Sequence, residues 1–187
     1  MRIYYKYIGE EEYIGYKNRR EAEHDIAYRL LGAALLDAYG IDALPEIERG
    51  KYGKPYFADS GIHFNISHCS GLAVCAVGEC ENGIDCEEIG RVGMKAAKRI
   101  FSAEEYAELE SAAEEIRPEI FARLWTFKEA CGKTVGRGLG GELPIYGKSE
   151  EKGIFTCGFT LGDGRFMVTA AAKEPFDVPK PKKMCNF

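Results

Sequence analysis

Acidic side chains at three points of this chain have the types and spacing for metal chemistry. Asp85 and Glu87 stand two residues apart in Gly83-Ile84-Asp85-Cys86-Glu87. On a strand, the two-residue period turns both carboxylates to one face. Two acids held side by side repel each other unless a cation or a proton lies between them. Alone, an Asp-x-Glu pair reads more simply as the exposed end of a strand. Glu129 shifts that balance. Trp125, Glu129 and Lys133 follow at i, i+4 and i+8, so on a helix they form one stripe. An exposed Glu129–Lys133 pair would contribute only about 0.3–0.5 kcal/mol. Yet Glu129 lies among Trp125, Phe127, Ala130 and Cys131, where a carboxylate needs a partner. Three carboxylates that leave positions open for water and phosphate form the hard-oxygen set that Mg²⁺ prefers.

Two further segments carry polar chemistry. His68 closes Asn65-Ile66-Ser67-His68. A lone histidine is more often a structural hydrogen-bonder than a catalyst, but a polar segment between two apolar strands is a common place for ligand contact. Gly53-Lys54-Pro55 reads either as a plain turn or as a stiff loop that holds a lysine toward an anion.

The elements that must position these residues follow from periodicity. Residues 1–8 read as a strand. Asn18 caps a helix whose Ala22, Ile26, Ala27, Leu30, Leu31, Ala34 and Leu35 recur at helical spacing until Gly40. Ile62, Phe64 and Ile66 alternate as in a half-buried strand, Ser67 to Gly71 reads as a polar loop, and Leu72 to Val77 as a buried strand. Glu81-Asn82-Gly83 has the composition of a hairpin turn into the strand that carries Asp85. Ser102-Ala103-Glu104-Glu105 has capping-box spacing and starts a helix expected to run to about Arg117, and Pro118 suits the first turn of the next. A glycine-rich loop, Gly136 to Gly141, precedes a hairpin of Phe155–Leu161 and Arg165–Ala172. The tail beyond Glu174, rich in Pro and Lys, is expected to pack poorly. The order predicts an α+β fold of two similar α/β halves, 1–88 and 89–187, packed as one unit with the site between them.

Composition bounds the function classes. A chain of 187 residues with 45% hydrophobic and 29% charged residues is long enough for a real core. A net charge of −5 argues against a general nucleic-acid binder. No apolar run reaches membrane-spanning length and the N-terminus lacks a signal-peptide pattern, which makes the cytoplasm the default location. Seven cysteines without a CxxC pair, several inside apolar runs, read as buried thiols in a reducing compartment.

Five segments in this order resemble the 4′-phosphopantetheinyl transferases. They are Gly53-Lys54-Pro55, Phe64-Asn65-Ile66-Ser67-His68, Gly83-Ile84-Asp85-Cys86-Glu87, Phe101-Ser102-x-x-Glu105, and Leu124-Trp125-Thr126-Phe127-Lys128-Glu129-Ala130-x-x-Lys133. The resemblance runs from about Arg19 to Leu139. Chain length and layout are similar to the Sfp-type group, in which one chain supplies both halves in a pseudo-dimeric, monomeric enzyme.

The resemblance implies transfer of the phosphopantetheine arm of coenzyme A to a serine of an acyl, peptidyl or aryl carrier protein, with release of 3′,5′-ADP. It further implies Asp85, Glu87 and Glu129 as ligands of Mg²⁺, with Mn²⁺ as a substitute. His68 and Lys133 match contacts to the phosphates of coenzyme A, and Lys54 and Ser67 match positions near its 3′-phosphate and pyrophosphate. Glu129, Lys133 and His68 are the expected catalytic groups, with Glu129 the base directly or through a metal-bound water. Lys17, Arg19, Arg20 and Arg29 are candidates for further basic contacts. Cys86, where relatives have a branched apolar residue, is expected to be buried and inert.

An acidic carrier would suit the basic and apolar stretch of Arg91, Val92, Met94, Lys95, Lys98, Arg99 and Ile100, which equally reads as a solvated helix face. Two other readings stay open: a metal-dependent coenzyme A or nucleotide pyrophosphatase, and a non-catalytic binder of coenzyme A or of the carrier.

Overall fold

The computed structural model describes residues 1–178 and 180–185. Four layers stack in the order helix, sheet, sheet, helix. The first sheet has the strand order β4 (His63–Cys69), β5 (Leu72–Gly78), β1 (Arg2–Tyr7), β9 (Lys182–Lys183). The second has the order β6 (Asn82–Glu88), β8 (Phe166–Ala172), β7 (Phe155–Leu161). A two-stranded hairpin of β2 (Ile47–Arg49) and β3 (Pro55–Phe57) joins neither sheet by hydrogen bonds, and its Phe57 packs on Phe64 of β4.

Alternation along β5 explains the layering. Ala73, Cys75 and Val77 face helix α1 (Arg19–Tyr39) and pack with Ile26, Ala27, Leu30 and Leu31. Leu72, Val74 and Ala76 face the second sheet and meet Ile84, Cys86, Phe166, Val168 and Ala170. A strand that is apolar at every position is what a sheet covered on both faces requires. Helix α4 (Arg117–Thr134) closes the far side, where Phe127, Ala130 and Cys131 pack on Ala171. Helices α2 (Met94–Ile100) and α3 (Ala103–Ser111) lie against its N-terminal half, around Phe101, Leu109, Phe121 and Leu124.

The local signals act as the residues predict. Asn18 Oδ1 accepts from Glu21 N, Gly40 ends α1 with φ of 70°, and Ser102 with Glu105 forms a reciprocal capping box. Pro118 sits in the first turn of α4. Cys86 is buried, and burial raises its thiol well above the ordinary range.

Four expectations need correction. Ser67, His68 and Cys69 are not loop but the end of β4, because pairing with Val74, Ala73 and Leu72 carries the ladder to the turn at Gly71. Residues 81–83 form no hairpin, since β5 and β6 belong to different sheets. The helix begun at Ser102 stops at Ser111, not near Arg117. The tail is anchored: β9 runs parallel to β1, Met184 packs against the α1 core, and Lys182 Nζ lies 2.5 Å from Asp37. Its last two positions, 186 and 187, lie outside the described residues.

Candidate active site

The site lies where β4, β6 and α4 meet. The two-residue period of β6 sends Ile84 and Cys86 into the core between the sheets and leaves Asp85 and Glu87 on the face beneath α4. Gly83 makes the approach close. A Cβ there would overlap the Ala130 carbonyl and come within 2.7 Å of Thr134 N. Glu129 and Lys133, one turn apart on α4, then reach the same face.

The two faces of β4 divide the remaining groups. Phe64 and Ile66 pack toward α1, and His68, on the same side, stands 3.3 Å through Nδ1 from Glu23 Oε2 of α1. Asn65 and Ser67 point the other way. Asn65 Oδ1 accepts from Ile84 N at 2.9 Å, which ties β4 to β6, and Ser67 Oγ donates to Asp85 Oδ1 at 2.7 Å.

Asp85, Glu87, Glu129, Lys133, Ser67, His68, Lys54 and Trp125 all border one open cavity of about 520 Å³. Seven of them are expected site residues, and Trp125 belongs to the helix stripe that predicted Glu129. Lys133 Nζ donates to Asp85 Oδ1 at 2.6 Å, to Ser67 Oγ at 3.0 Å and to the Ile84 carbonyl at 3.2 Å. Burial alone would depress the Lys133 ammonium, but the charges of Asp85 and Glu129 hold it above its ordinary range. Glu129 is raised by burial first, then by the negative charge of Asp85. Glu87 is likewise raised by burial, with Arg91 opposing and Asp85 adding to the rise.

This donor chemistry fits a hard divalent cation. Burial and the neighbouring Asp85 make Glu87 and Glu129 costly to ionise, and an oxygen-seeking cation relieves that cost. Among the described residues, no three His, Cys, Asp or Glu side chains are already gathered closely enough to grip an ion. The Lys133 ammonium lies against Asp85 instead and supplies a positive charge there.

Lys54 differs from the expected anion contact. It borders the cavity, but its ammonium donates to two main-chain carbonyls, Asn82 O and Thr134 O, each at 3.0 Å. Helix α4 ends with unpaired carbonyls, and the half-buried Lys54 satisfies one of them while joining it to β6. Burial lowers the Lys54 ammonium. Arg19 and Arg20 stand outside this cavity. Arg19 pairs with Glu10 at 2.5 Å and lies over the Tyr13 ring, while Arg20 borders a neighbouring cavity together with His68, Glu87 and Arg91.

Sequence reasoning passed over Glu23 and Asn65. The signals were present: Glu23 falls on the apolar stripe of Ala22, Ile26, Ala27 and Leu30, and Asn65 is in phase with Ser67.

Lys128, adjacent to Glu129, turns away from the cavity. Its ammonium meets Glu105 Oε2 at 2.8 Å and the Pro144 carbonyl at 2.7 Å, in a buried pair that fixes α3 and the 144–146 segment on α4. Two of the five recurring segments, those with Glu105 and with Lys128, therefore meet in an internal ion pair beside the site.

Comparison with known proteins covers the segment that carries Asp85, Glu87, Glu129 and Lys133. Positions 81–155 match the family model of the 4′-phosphopantetheinyl transferase superfamily. The chain is 37% identical over 137 residues to the 4′-phosphopantetheinyl transferase gsp of Aneurinibacillus migulanus, covering 70% of this chain and 55% of that one. It is 34% identical over 139 residues to psf-1 of Bacillus pumilus, covering 68% and 60%. It is 39% identical over 111 residues to AcpT of Escherichia coli strain K12, covering 57% and 56%. The matches thus span little more than half the length of these relatives. Together with the ordered segments around the cavity, they place the chain in the 4′-phosphopantetheinyl transferase superfamily.

Proposed function

We propose that this chain transfers the 4′-phosphopantetheine arm of coenzyme A to a serine of an acyl, peptidyl or aryl carrier protein and releases 3′,5′-ADP, in the manner of a Mg²⁺-dependent holo-[acyl-carrier-protein] synthase. The single observation that carries this reading is the convergence of Asp85, Glu87, Glu129, Lys133, Ser67 and His68 on one open cavity. The relatives' shared name supports it.

Asp85, Glu87 and Glu129 would hold the divalent cation, Mg²⁺ or Mn²⁺. That cation supplies charge neutralisation at the phosphate oxygens and so lowers the cost of phosphoryl transfer. The protein's own groups do the rest. Lys133 leaves Asp85 and pairs with the pyrophosphate, where its charge stabilises the oxygens as the P–O bond breaks. His68 borders the same region and contacts a phosphate oxygen through the ring nitrogen not turned to Glu23. Glu129, facing both, takes the proton from the carrier serine as the hydroxyl oxygen attacks phosphorus. Ser67 holds the Asp85 carboxylate in place. Lys54 acts by fixing the end of α4 to β6, so that Glu129 and Lys133 stay over Asp85.

The two-half organisation, 1–88 and 89–187, is proposed with strands exchanged across that boundary. Each half centres on one long helix laid on one sheet, but β6 joins the second sheet and β9 returns to the first. One chain then supplies both halves, in the monomeric arrangement of the Sfp-type group. Among the described residues, no helix is long and apolar enough to cross a membrane, and we place the activity in the cytoplasm. The exposed Arg91 and Lys95, with Met94 and Lys98 on α2, lie on the chain segment just beyond Glu87 and form the proposed docking face for an acidic carrier.

The test mixes the protein with Mg²⁺, coenzyme A and an apo carrier protein. Appearance of 3′,5′-ADP only when the carrier is present supports transfer. Cleavage of coenzyme A without a carrier would support a pyrophosphatase instead, and binding without cleavage, across several carriers, a non-catalytic binder.

A further inference from the structure

Glu23 is a buried carboxylate, 8% exposed, that the transferase reading does not use. It projects from α1 toward the end of β4 and has two neighbours. Its Oε1 accepts from the Tyr13 hydroxyl at 3.2 Å, and its Oε2 stands 3.3 Å from His68 Nδ1. Tyr13 is itself covered by the Arg19 guanidinium, 4.3 Å above its ring and tied to Glu10. The carboxylate is therefore held from behind and aimed at one ring nitrogen. A carboxylate at Nδ1 fixes that nitrogen as the N–H donor and leaves Nε2 for the cavity, so it sets both the tautomer and the direction of the ring.

A buried acid has a cost unless its charge serves a partner. Here the partner is an imidazole at the rim of a cavity proposed to take a pyrophosphate. We propose that Glu23 is a positioning residue for coenzyme A: it turns His68 Nε2 to the phosphate and provides the countercharge that lets His68 take up a solvent proton when the phosphate enters. This rests on the transferase reading of the cavity and deepens it.

The surroundings of His68 agree. Burial holds the ring below its ordinary range, against the opposing pull of Glu23, while His24 of α1 and Lys133 of α4 lower it further. The other charged groups that share its two cavities are Asp85, Glu87 and Glu88 of β6, Glu129 of α4, Arg49 of β2, Lys54, Arg20 of α1 and Arg91. An entering phosphate brings negative charge and, on the proposed mechanism, draws Lys133 to itself. Both changes favour the imidazolium, whose Nε2–H then donates to a phosphate oxygen while Nδ1–H stays on Glu23. Coenzyme A should accordingly bind with uptake of a proton, and more tightly as pH falls from 8 toward the titration of His68 in the complex.

The experiment compares the full chain with Glu23→Gln and Glu23→Asp, all checked for folding by circular dichroism. The His68 ring is titrated by NMR in the free protein. Coenzyme A affinity is measured by calorimetry from pH 6 to 8.5, in two buffers of different ionisation enthalpy to count protons. Removing an opposite charge at this range should lower the His68 pKa in Glu23→Gln by about one pH unit. Coenzyme A should then bind about tenfold more weakly near neutral pH, with its pH dependence displaced downward by the same amount. Glu23→Asp, which keeps the charge, should recover most of the loss. An unchanged His68 titration, or wild-type binding of coenzyme A without proton uptake, would overturn the proposal. Failure of the wild type to bind coenzyme A with or without Mg²⁺ would overturn the transferase reading instead, while the free-protein titration still decides what Glu23 does to His68.

Discussion

Glu105→Gln should destabilise the protein far more than a polar exchange of equal size usually does. Glu105 and Lys128 are 3% and 2% exposed and lie 2.8 Å apart. Glu105 also accepts from Ser102 N at 2.7 Å and from Tyr146 N at 2.8 Å. Glutamine preserves the shape and one acceptor, but it leaves the Lys128 charge buried without its countercharge, beside the Pro144 carbonyl and the Phe127 ring. Breaking a buried pair from one side costs about 3–5 kcal/mol. For a chain of this size that lowers Tm by roughly 6–20 °C. The pair is also readable in pH. Burial would raise the Glu105 carboxyl, yet the hydrogen bonds from Lys128 and from the Ser102 and Tyr146 amides hold it below the ordinary 4.5. A carboxyl depressed in the folded state adds stability above its unfolded value and loses it as pH falls through its folded value. Wild type should therefore lose this contribution below about pH 4.5, and Glu105→Gln should lack that step. Urea and thermal unfolding from pH 3 to 7 measure both. Glu105→Gln with Lys128→Met removes both charges, keeps an amide oxygen for the Ser102 and Tyr146 amides, and should recover most of the loss. A single mutant within about 1 kcal/mol of wild type, or a double mutant no better than the single, would refute the reasoning.

Three other outcomes follow from particular contacts. Gly83→Ala should force β6 and α4 apart, because the added methyl overlaps the Ala130 carbonyl; a fall in Tm together with loss of transfer is expected, and an unchanged Tm would contradict the close approach. Lys54→Met leaves Asn82 O and Thr134 O without their shared donor. It should cost about 1–3 kcal/mol and speed amide exchange at the end of α4, whereas a lysine whose only role is to bind an anion would weaken coenzyme A binding and leave exchange unchanged. Reversing Lys95 and Lys98 to Glu should raise KM for the carrier and spare coenzyme A affinity; parallel changes in both, or in neither, would remove α2 from the docking face.

Much of this was legible in the sequence where one local signal decides the outcome. Capping residues fixed the starts of α1 and α3, and the two-residue period of β6 put Asp85 and Glu87 on one face. What the sequence hid depends on contacts between distant segments. Ser67 and His68 read as loop because their composition is polar, but the pairing partner Val74-Ala73 extends the strand. The tail read as loosely packed because a two-residue strand has no periodicity to detect, and only β1 makes it one. Lys54 read either as part of a plain turn or as a lysine held toward an anion, and nothing near it in sequence shows that the carbonyl of Thr134, eighty residues on, will receive its ammonium. Glu23 sat in plain view on an apolar stripe, and only the arrival of His68 explains it.

On the proposed mechanism the Asp85, Glu87, Glu129 and Lys133 cluster drives transfer to a carrier serine. The most direct measurement is the intact mass of an apo carrier protein after incubation with Mg²⁺, coenzyme A and either wild type or Asp85→Ala. Wild type should add one phosphopantetheine arm per carrier, and Asp85→Ala, still folded by circular dichroism, should add none in the same time. Full modification by Asp85→Ala, or an unmodified carrier with wild type across acyl, peptidyl and aryl carriers, would contradict the account.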